Sequence, residues 1–364
     1  MKTIAYKEIE CLEALAQCES FEHLAFQGIN FNRMPNRFNT FRFTDCIFMG
    51  CIITPEIKNM MDEDCLVFPR LGTPFKSYPN HLYSANELYR GYDPDNEYSF
   101  ASCYDSRVYE HYINCGKESS NIRETLARSL HDHSITDAVR DFLSGYDERD
   151  VMAVMGGHAM SRTDSSYRDV ALISKRLTEK GKLMVSGGGP GAMEATHFGA
   201  WMAGRTMEEF DDALSMISAA PTFKDPHWLS LAFKVIRKYP QNKYFSLGVP
   251  TWFYGHEPAA AFATHIAKYF DNSIREDGIL TIAKGGIIYS PGSAGTLQEI
   301  FQDAAQNHYE TFGYASPMVF FGKEYYTKVI PVYPLMQDLM AREKYKNLIL
   351  SITDDVDEVV TILS

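Results

Sequence analysis

From Val151 onward the chain alternates short apolar runs with longer stretches of helical periodicity. Residues 151–155, 182–186, 244–249, 287–289, 318–321 and 348–352 are too short for helices and largely apolar, as strands buried on both faces are. Helical patterns predict helices over 167–180, 192–203, 326–340 and 354–363. Leu297, Ile300, Phe301, Ala304 and Ala305 add another after the fourth run. Phe262, Ile266, Tyr269, Phe270 and Ser273 predict a helix carrying Arg275 near its end. Strands alternating with helices predict an α/β fold, a doubly wound, Rossmann-like parallel sheet.

The first half reads differently. Ile4, Ile9, Leu12 and Leu15 predict a short amphipathic helix over 1–20. Phe26, Phe31, Phe41, Cys46 and Cys51 then recur at a step of five, broken at Asn36, and Phe38, Phe43, Phe48 and Ile53 keep the same step. The stretch 24–53 resembles pentapeptide repeats, which coil into a small β-helix with stacked apolar rungs; a plain β-meander is the simpler reading of so short a run. Residues 54–118 lack clean periodicity and read as irregular, tyrosine-rich structure. Two helical patterns follow over 120–143, split near His133, with Ser134 as an N-cap and Gly145 as a stop. His131 and His133 read as surface residues. The expected organisation is an accessory region, 1–118, and a nucleotide-binding catalytic domain, 119–364, with a helical insertion at 205–243 serving as a lid or subunit contact.

A formal charge of −12 argues against nucleic-acid or anionic-membrane partners, which need a basic footprint. No apolar run approaches a membrane span, and the first residues lack the apolar core of a signal peptide. All seven cysteines precede the α/β pattern, without a Cys-x-x-Cys pair. Reduced thiols and a cytoplasmic location are therefore expected. Cys46, Cys51 and Cys65 lack the tight ligand pair of a zinc site, so no metal is expected.

Candidate chemistry gathers at two glycine-rich loops that each join a strand to a helix. One is Gly187, Gly188, Gly189, Pro190 and Gly191; the other runs through Pro291, Gly292, Ser293, Ala294, Gly295 and Thr296. Such loops aim backbone N–H groups and a helix N-terminus at an anion. Glu299 lies one turn into the second helix, off its apolar stripe. A third strand ends at Gly156 and Gly157, followed by His158. The dinucleotide alternative fails because the strand after the first loop ends at Leu247–Pro250 without the acid that would hold a ribose. Lys284 has no surrounding motif for a pyridoxal Schiff base.

The paired motifs GGGPGAMEA (residues 187–195) and PGSAGTLQE (residues 291–299) resemble the two signatures of the Lonely Guy family, nucleoside 5′-monophosphate phosphoribohydrolases often mislabelled lysine decarboxylases. The resemblance covers residues 151–364. It departs at Ser293, where the family has Gly, at Glu276, where it has Lys, and at Ala305, where it has Thr. It implies Arg275 and Glu299 as catalytic residues. It further implies an AMP-like nucleoside 5′-monophosphate held by Gly157, Gly188, Gly189, Gly191, Met193, Glu257, Gly292, Ser293, Ala294, Gly295 and Thr296. The expected reaction is hydrolysis of the N-glycosidic bond to free base and ribose 5-phosphate, without a cofactor, in a homodimer or higher homo-oligomer. A nucleotide-binding sensor or carrier on the same fold is the alternative, and Glu276 and Ala305 leave the preferred base open.

Overall fold

The computed structural model describes residues 6–9, 11–34 and 41–364. The chain divides into two compact units, residues 1–82 with 111–138, and residues 83–110 with 139–364. The units thus interleave where the sequence suggests a boundary after residue 118.

In the first unit, four strands, β1 (Lys7–Ile9), β2 (Leu24–Gln27), β3 (Ile47–Met49) and β4 (Leu66–Phe68), pair in sequence order and always in parallel. Ile9 faces Phe26, Phe26 faces Phe48, and Ile47 faces Leu66. A meander is antiparallel, so that reading is overturned; the chain coils, each rung lying on the last. The five-residue step is the inward-facing pattern of this coil: Phe26, Phe31, Phe43, Cys46 and Phe48 are buried, with Phe41, Cys51 and Ile53 packed against them. The rings of Phe26 and Phe48 stack at 4.8 Å between centroids, and those of Phe21 and Phe43 at 5.1 Å. The thiols of Cys46, Cys51 and Cys65 point at the carbonyls of Phe21, Phe26 and Phe43, and burial pushes the Cys46 and Cys51 thiols up to about 12 and about 11.

Four expectations are corrected here. Instead of one helix over 1–20, Ile9 is drawn into the first rung and Leu12–Gln17 forms a 3₁₀ turn; Ile4, Asn36 and Phe38 lie outside the described residues. Residues 54–118 are more regular than expected. They contain α1 (Pro55–Asn59), the rung β4, α2 (Ala85–Leu88) and α3 (Tyr104–Asn114). Helix α4 (Ile122–Leu143) is continuous through Ser134, whose hydroxyl donates to the Leu130 carbonyl at 2.9 Å and so caps nothing. His131 is buried on that helix, edge-on to Phe75 and 2.8 Å from Asp132; His133 is exposed, as expected.

The second unit holds seven parallel strands in the order β11, β10, β9, β5, β6, β7, β8. They are β5 (Val151–Met155), β6 (Leu183–Ser186), β7 (Ser246–Gly248), β8 (His265–Ile266), β9 (Gly286–Tyr289), β10 (Pro317–Phe321) and β11 (Ile349–Thr353). Every residue of β5, β6, β7 and β9 is buried, which explains their unbroken apolar character. From β5 the chain winds outward through α5 (Ser165–Glu179), β6, α6 (Ala192–Trp201), α7 (Met207–Ile217) and α8 (Trp228–Lys238) to β7 and β8. It returns through α9 (Asn272–Ile282) to β9 on the other side of β5. It then winds the opposite way through α10 (Ala294–His308), β10, α11 (Val332–Ala341) and β11 to α12 (Val356–Ile362). The fold is the doubly wound α/β sheet, and the reversal of winding falls between β5 and β9.

Two helices differ from expectation. All four apolar residues Phe262, Ile266, Tyr269 and Phe270 are buried, but Ile266 belongs to β8, paired beside Gly248 of β7, and the other three lie in irregular chain around it. Helix α9 starts only at Asn272, capped by Asp271, whose carboxylate accepts from the Ser273 amide at 2.8 Å. Arg275 therefore sits in the first turn of its helix. The pattern over 326–340 is interrupted by a π-turn, Tyr325–Val329, and by Pro331, which offers no amide hydrogen; α11 begins after it.

Candidate functional site

The carboxyl ends of β6, β5 and β9 lie side by side, and the loops leaving them are hydrogen-bonded together. The Gly157 amide donates to the Pro291 carbonyl at 3.0 Å, and the Gly157 carbonyl accepts from the Ala192 amide at 3.2 Å. The loop after β5 thus ties the two glycine-rich loops to one another. This arrangement stands at the switch point of the winding, where open α/β sheets leave a crevice. A cleft of about 280 Å³ opens there. Its lining unites Gly157, Met193, Glu257, Arg275, Ser293, Gly295, Thr296 and Glu299 from the predicted set with Gly156, His158, Gly187, Tyr254 and Glu276.

The remaining predicted residues hold the walls. Gly188 is buried with φ +67°, a region that favours glycine. Its amide donates to the Ser186 hydroxyl at 3.2 Å and its carbonyl accepts from the Ala260 amide at 2.8 Å. Gly189 is buried behind Met193, and a Cβ there would approach the Met193 methyl to 2.9 Å and Glu257 to 3.6 Å. Gly191 packs against the carbonyl of Gly157. Gly292 packs under Thr296 and faces a neighbouring cavity of about 470 Å³ that also involves Gly157, His158, Ser293 and Tyr325. Ser293, Ala294 and Gly295 are exposed at the start of α10.

Arg275 reaches the cleft over Gly187, where any Cβ would collide with the guanidinium. Its Nε donates to the Val249 carbonyl at 3.2 Å, and its Nη1 stands 3.7 Å from Glu276. Glu276 is itself held, accepting from Asn272 at 2.8 Å and Gln298 at 3.1 Å. Glu299 keeps some exposure through the cleft mouth while its carboxyl lies deep. Burial pushes that carboxyl up to about 7; Arg275 pulls it down and Glu276 adds to the rise. Arg275 thus opposes the desolvation of Glu299 without cancelling it. The group is poised to exchange a proton near neutral pH.

Several supporting residues carry no sequence signal beyond their type. One turn past Glu299, Asp303 is buried beside Tyr289, and its carboxyl is likewise raised by burial to about 7. His197 is wholly buried between Ser186 and Ser246, at 2.8 and 2.9 Å, and burial lowers it to about 3, so it is a neutral strut at the root of the first loop. Glu194, inside the first motif, does not reach the cleft. It accepts from Arg162 at 2.9 and 2.5 Å and from the Tyr167 hydroxyl at 3.0 Å. Arg162 also donates to the carbonyls of Ile217 and Ala220 and lies over the Trp228 ring, which pins the insertion to the sheet. Tyr254, in the short turn Trp252–Tyr254 after β7, lines the cleft from a segment whose sequence offers no motif.

No family model matches the chain, and no curated protein matches it in sequence. Among solved structures, one match is the molybdenum cofactor binding protein from the phototrophic bacterium Rippkaea orientalis, 14% identical, with a TM-score of 0.35, covering 58% of this chain and 93% of that one. Among the described residues, no helix is long and apolar enough to cross a membrane.

Proposed function

We propose that the protein hydrolyses the N-glycosidic bond of a nucleoside 5′-monophosphate, releasing the base and ribose 5-phosphate, as the family its paired motifs resemble does. The observation that carries this reading is the meeting of Arg275 and Glu299 in one cleft, although they come from different helices and neither is near the other in sequence. The 5′-phosphate would take the exposed start of α10, where the amides of Gly295 and Thr296 are not used within the helix. The ribose would then lie over Glu299, whose carboxylate stabilises positive charge developing at the anomeric carbon and orients the attacking water. Arg275, fixed through its Nε, leaves its terminal nitrogens to position the nucleotide. Glu257, Tyr254 and His158 face the remaining space, where the base would sit.

The reading needs neither cofactor nor metal, and it includes a cytoplasmic homo-oligomer with isologous contacts. The deciding experiment incubates the protein with a panel of nucleoside 5′-monophosphates and assays ribose 5-phosphate. Release from one or more of them, lowered in Arg275→Ala and lowered by about two orders of magnitude or more in Glu299→Gln, is the expected result. Tight nucleotide binding with no release would replace hydrolysis with a carrier or sensor role.

A further inference from the structure

A second constellation lies in the first unit, far from the chemistry discussed so far in sequence. His111 on α3 and Cys115, four residues on, project from one side of the helix end. Glu124 enters from the first turn of α4. The Glu124 Oε2 atom is 3.0 Å from His111 Nε2, and Cys115 Sγ is 3.5 Å from the same nitrogen. All three donor atoms lie within 4.8 Å of one another. Ligands held at roughly 2.0–2.3 Å around a tetrahedral ion stand about 3.3–3.5 Å apart, so the imidazole, thiol and carboxylate need only small side-chain adjustments to converge on one.

The surroundings hold these donors in place. Arg128 donates to Glu124 Oε1 at 2.8 Å, the oxygen turned away from His111, and so directs Oε2 toward the other two. The same guanidinium donates to the carbonyls of Gly116 and Lys117 at 3.2 and 2.9 Å, which fixes the turn directly after Cys115. Gly116 has φ +81°, a conformation that favours glycine at this turn. The Arg128 guanidinium stacks over Tyr112 at 4.4 Å. Glu124 is buried, whereas His111 and Cys115 are partly exposed, so an ion and its water have a way in.

We propose that His111, Cys115 and Glu124 form a site for a divalent transition-metal ion of the zinc type, with solvent in the fourth position. A soft thiolate beside an imidazole and a carboxylate selects such an ion over magnesium or calcium. Binding replaces the His111–Glu124 hydrogen bond with two metal–ligand bonds: the hydrogen on His111 Nε2 exchanges through solvent so that Nδ1 carries it, and the Cys115 thiol releases its proton to solvent as the thiolate coordinates. Arg128 acts as the outer partner that orients the carboxylate. The site concerns the first unit and is independent of the proposed hydrolysis.

The test titrates the full chain, stripped with chelator, with Zn²⁺ by calorimetry and with Co²⁺ by absorbance. One equivalent should bind, with a thiolate-to-cobalt charge-transfer band. Cys115→Ser and His111→Gln should each weaken binding by roughly 100-fold or more and abolish or alter that band. A measurement on the unaltered chain guards against misfolded variants: Zn²⁺ should protect Cys115 from alkylation, mapped by peptide mass, while leaving exposed Cys11 reactive. Absence of stoichiometric binding, equal affinity in folded variants, or equal alkylation of Cys115 with and without Zn²⁺ would each overturn the proposal.

Discussion

The hydroxyl of Tyr289, at the end of β9, donates a 2.6 Å hydrogen bond to the carboxylate of Asp303, which accepts a second from Asn307 at 3.3 Å. Burial nevertheless raises Asp303 from its ordinary 3.8 to about 7. The folded protein therefore holds a proton that the unfolded chain gives up, so the associated stability is complete below pH ~4 and is lost as pH rises through about 7. Melting temperature should fall between pH 5 and pH 8. Asp303→Asn, which keeps an acceptor for Tyr289, should flatten that dependence in a pH series of thermal melts. Glu299 acts in the same direction, so the double variant should be flatter than either single one.

The same raised carboxyl in Glu299 sets the expected pH dependence of turnover. The carboxylate form does the work, so kcat/KM should climb as pH rises through about 7. Glu299→Gln should keep nucleotide affinity within a few-fold and lower turnover by two orders of magnitude or more, ~3 kcal/mol of lost transition-state stabilisation. Steady-state kinetics with direct binding measurements separate the two. A parallel fall in affinity and turnover would make Glu299 a binding residue.

Gly187→Ala tests the placement of Arg275. The new methyl would meet the guanidinium and come within 2.7 Å of Met193 Sδ. Both are ends of flexible side chains, so the fold should tolerate the change while the guanidinium moves aside. The expected outcome is a fall in kcat/KM of about 10-fold or more with little change in melting temperature.

Six of the seven strands were readable in advance, the central β5, β6, β7 and β9 because they are buried on both faces and therefore continuously apolar; β8 was hidden inside a helical pattern. Glu299, Gly295 and Thr296 were readable because a glycine-rich turn opens their helix, whereas Arg275 and Glu257 came only through the family resemblance. The start of α9 was not: Phe262, Ile266, Tyr269 and Phe270 fall at helical spacing, yet packing around β8 buries them instead. Nor were Asp303 and His197, since their altered acidity comes from burial, which no local spacing encodes. The coil of the first unit was half legible. Its step of five was plain, but only the pairing of Ala25 with Ile47 and Ile47 with Leu66 distinguishes stacked rungs from hairpins.

Recognition of the phosphate can be measured by comparing adenosine with its 5′-monophosphate. If the start of α10 takes the dianion, the nucleoside should be worse by ~3 kcal/mol in kcat/KM, about two charge-assisted hydrogen bonds. Ser293 is exposed at the head of that helix, so Ser293→Gly should change little. Equal rates on both substrates would remove the phosphate anchor.

Gly157 is at once donor to the Pro291 loop and acceptor for the first residue of α6. Shared bonding of this kind predicts that the floor of the cleft opens as one unit, with the amides of Gly157 and Ala192 exchanging with solvent deuterium at a common rate. A ligand that bridges any two of the three loops would slow exchange in the third as well, including at amides it never touches.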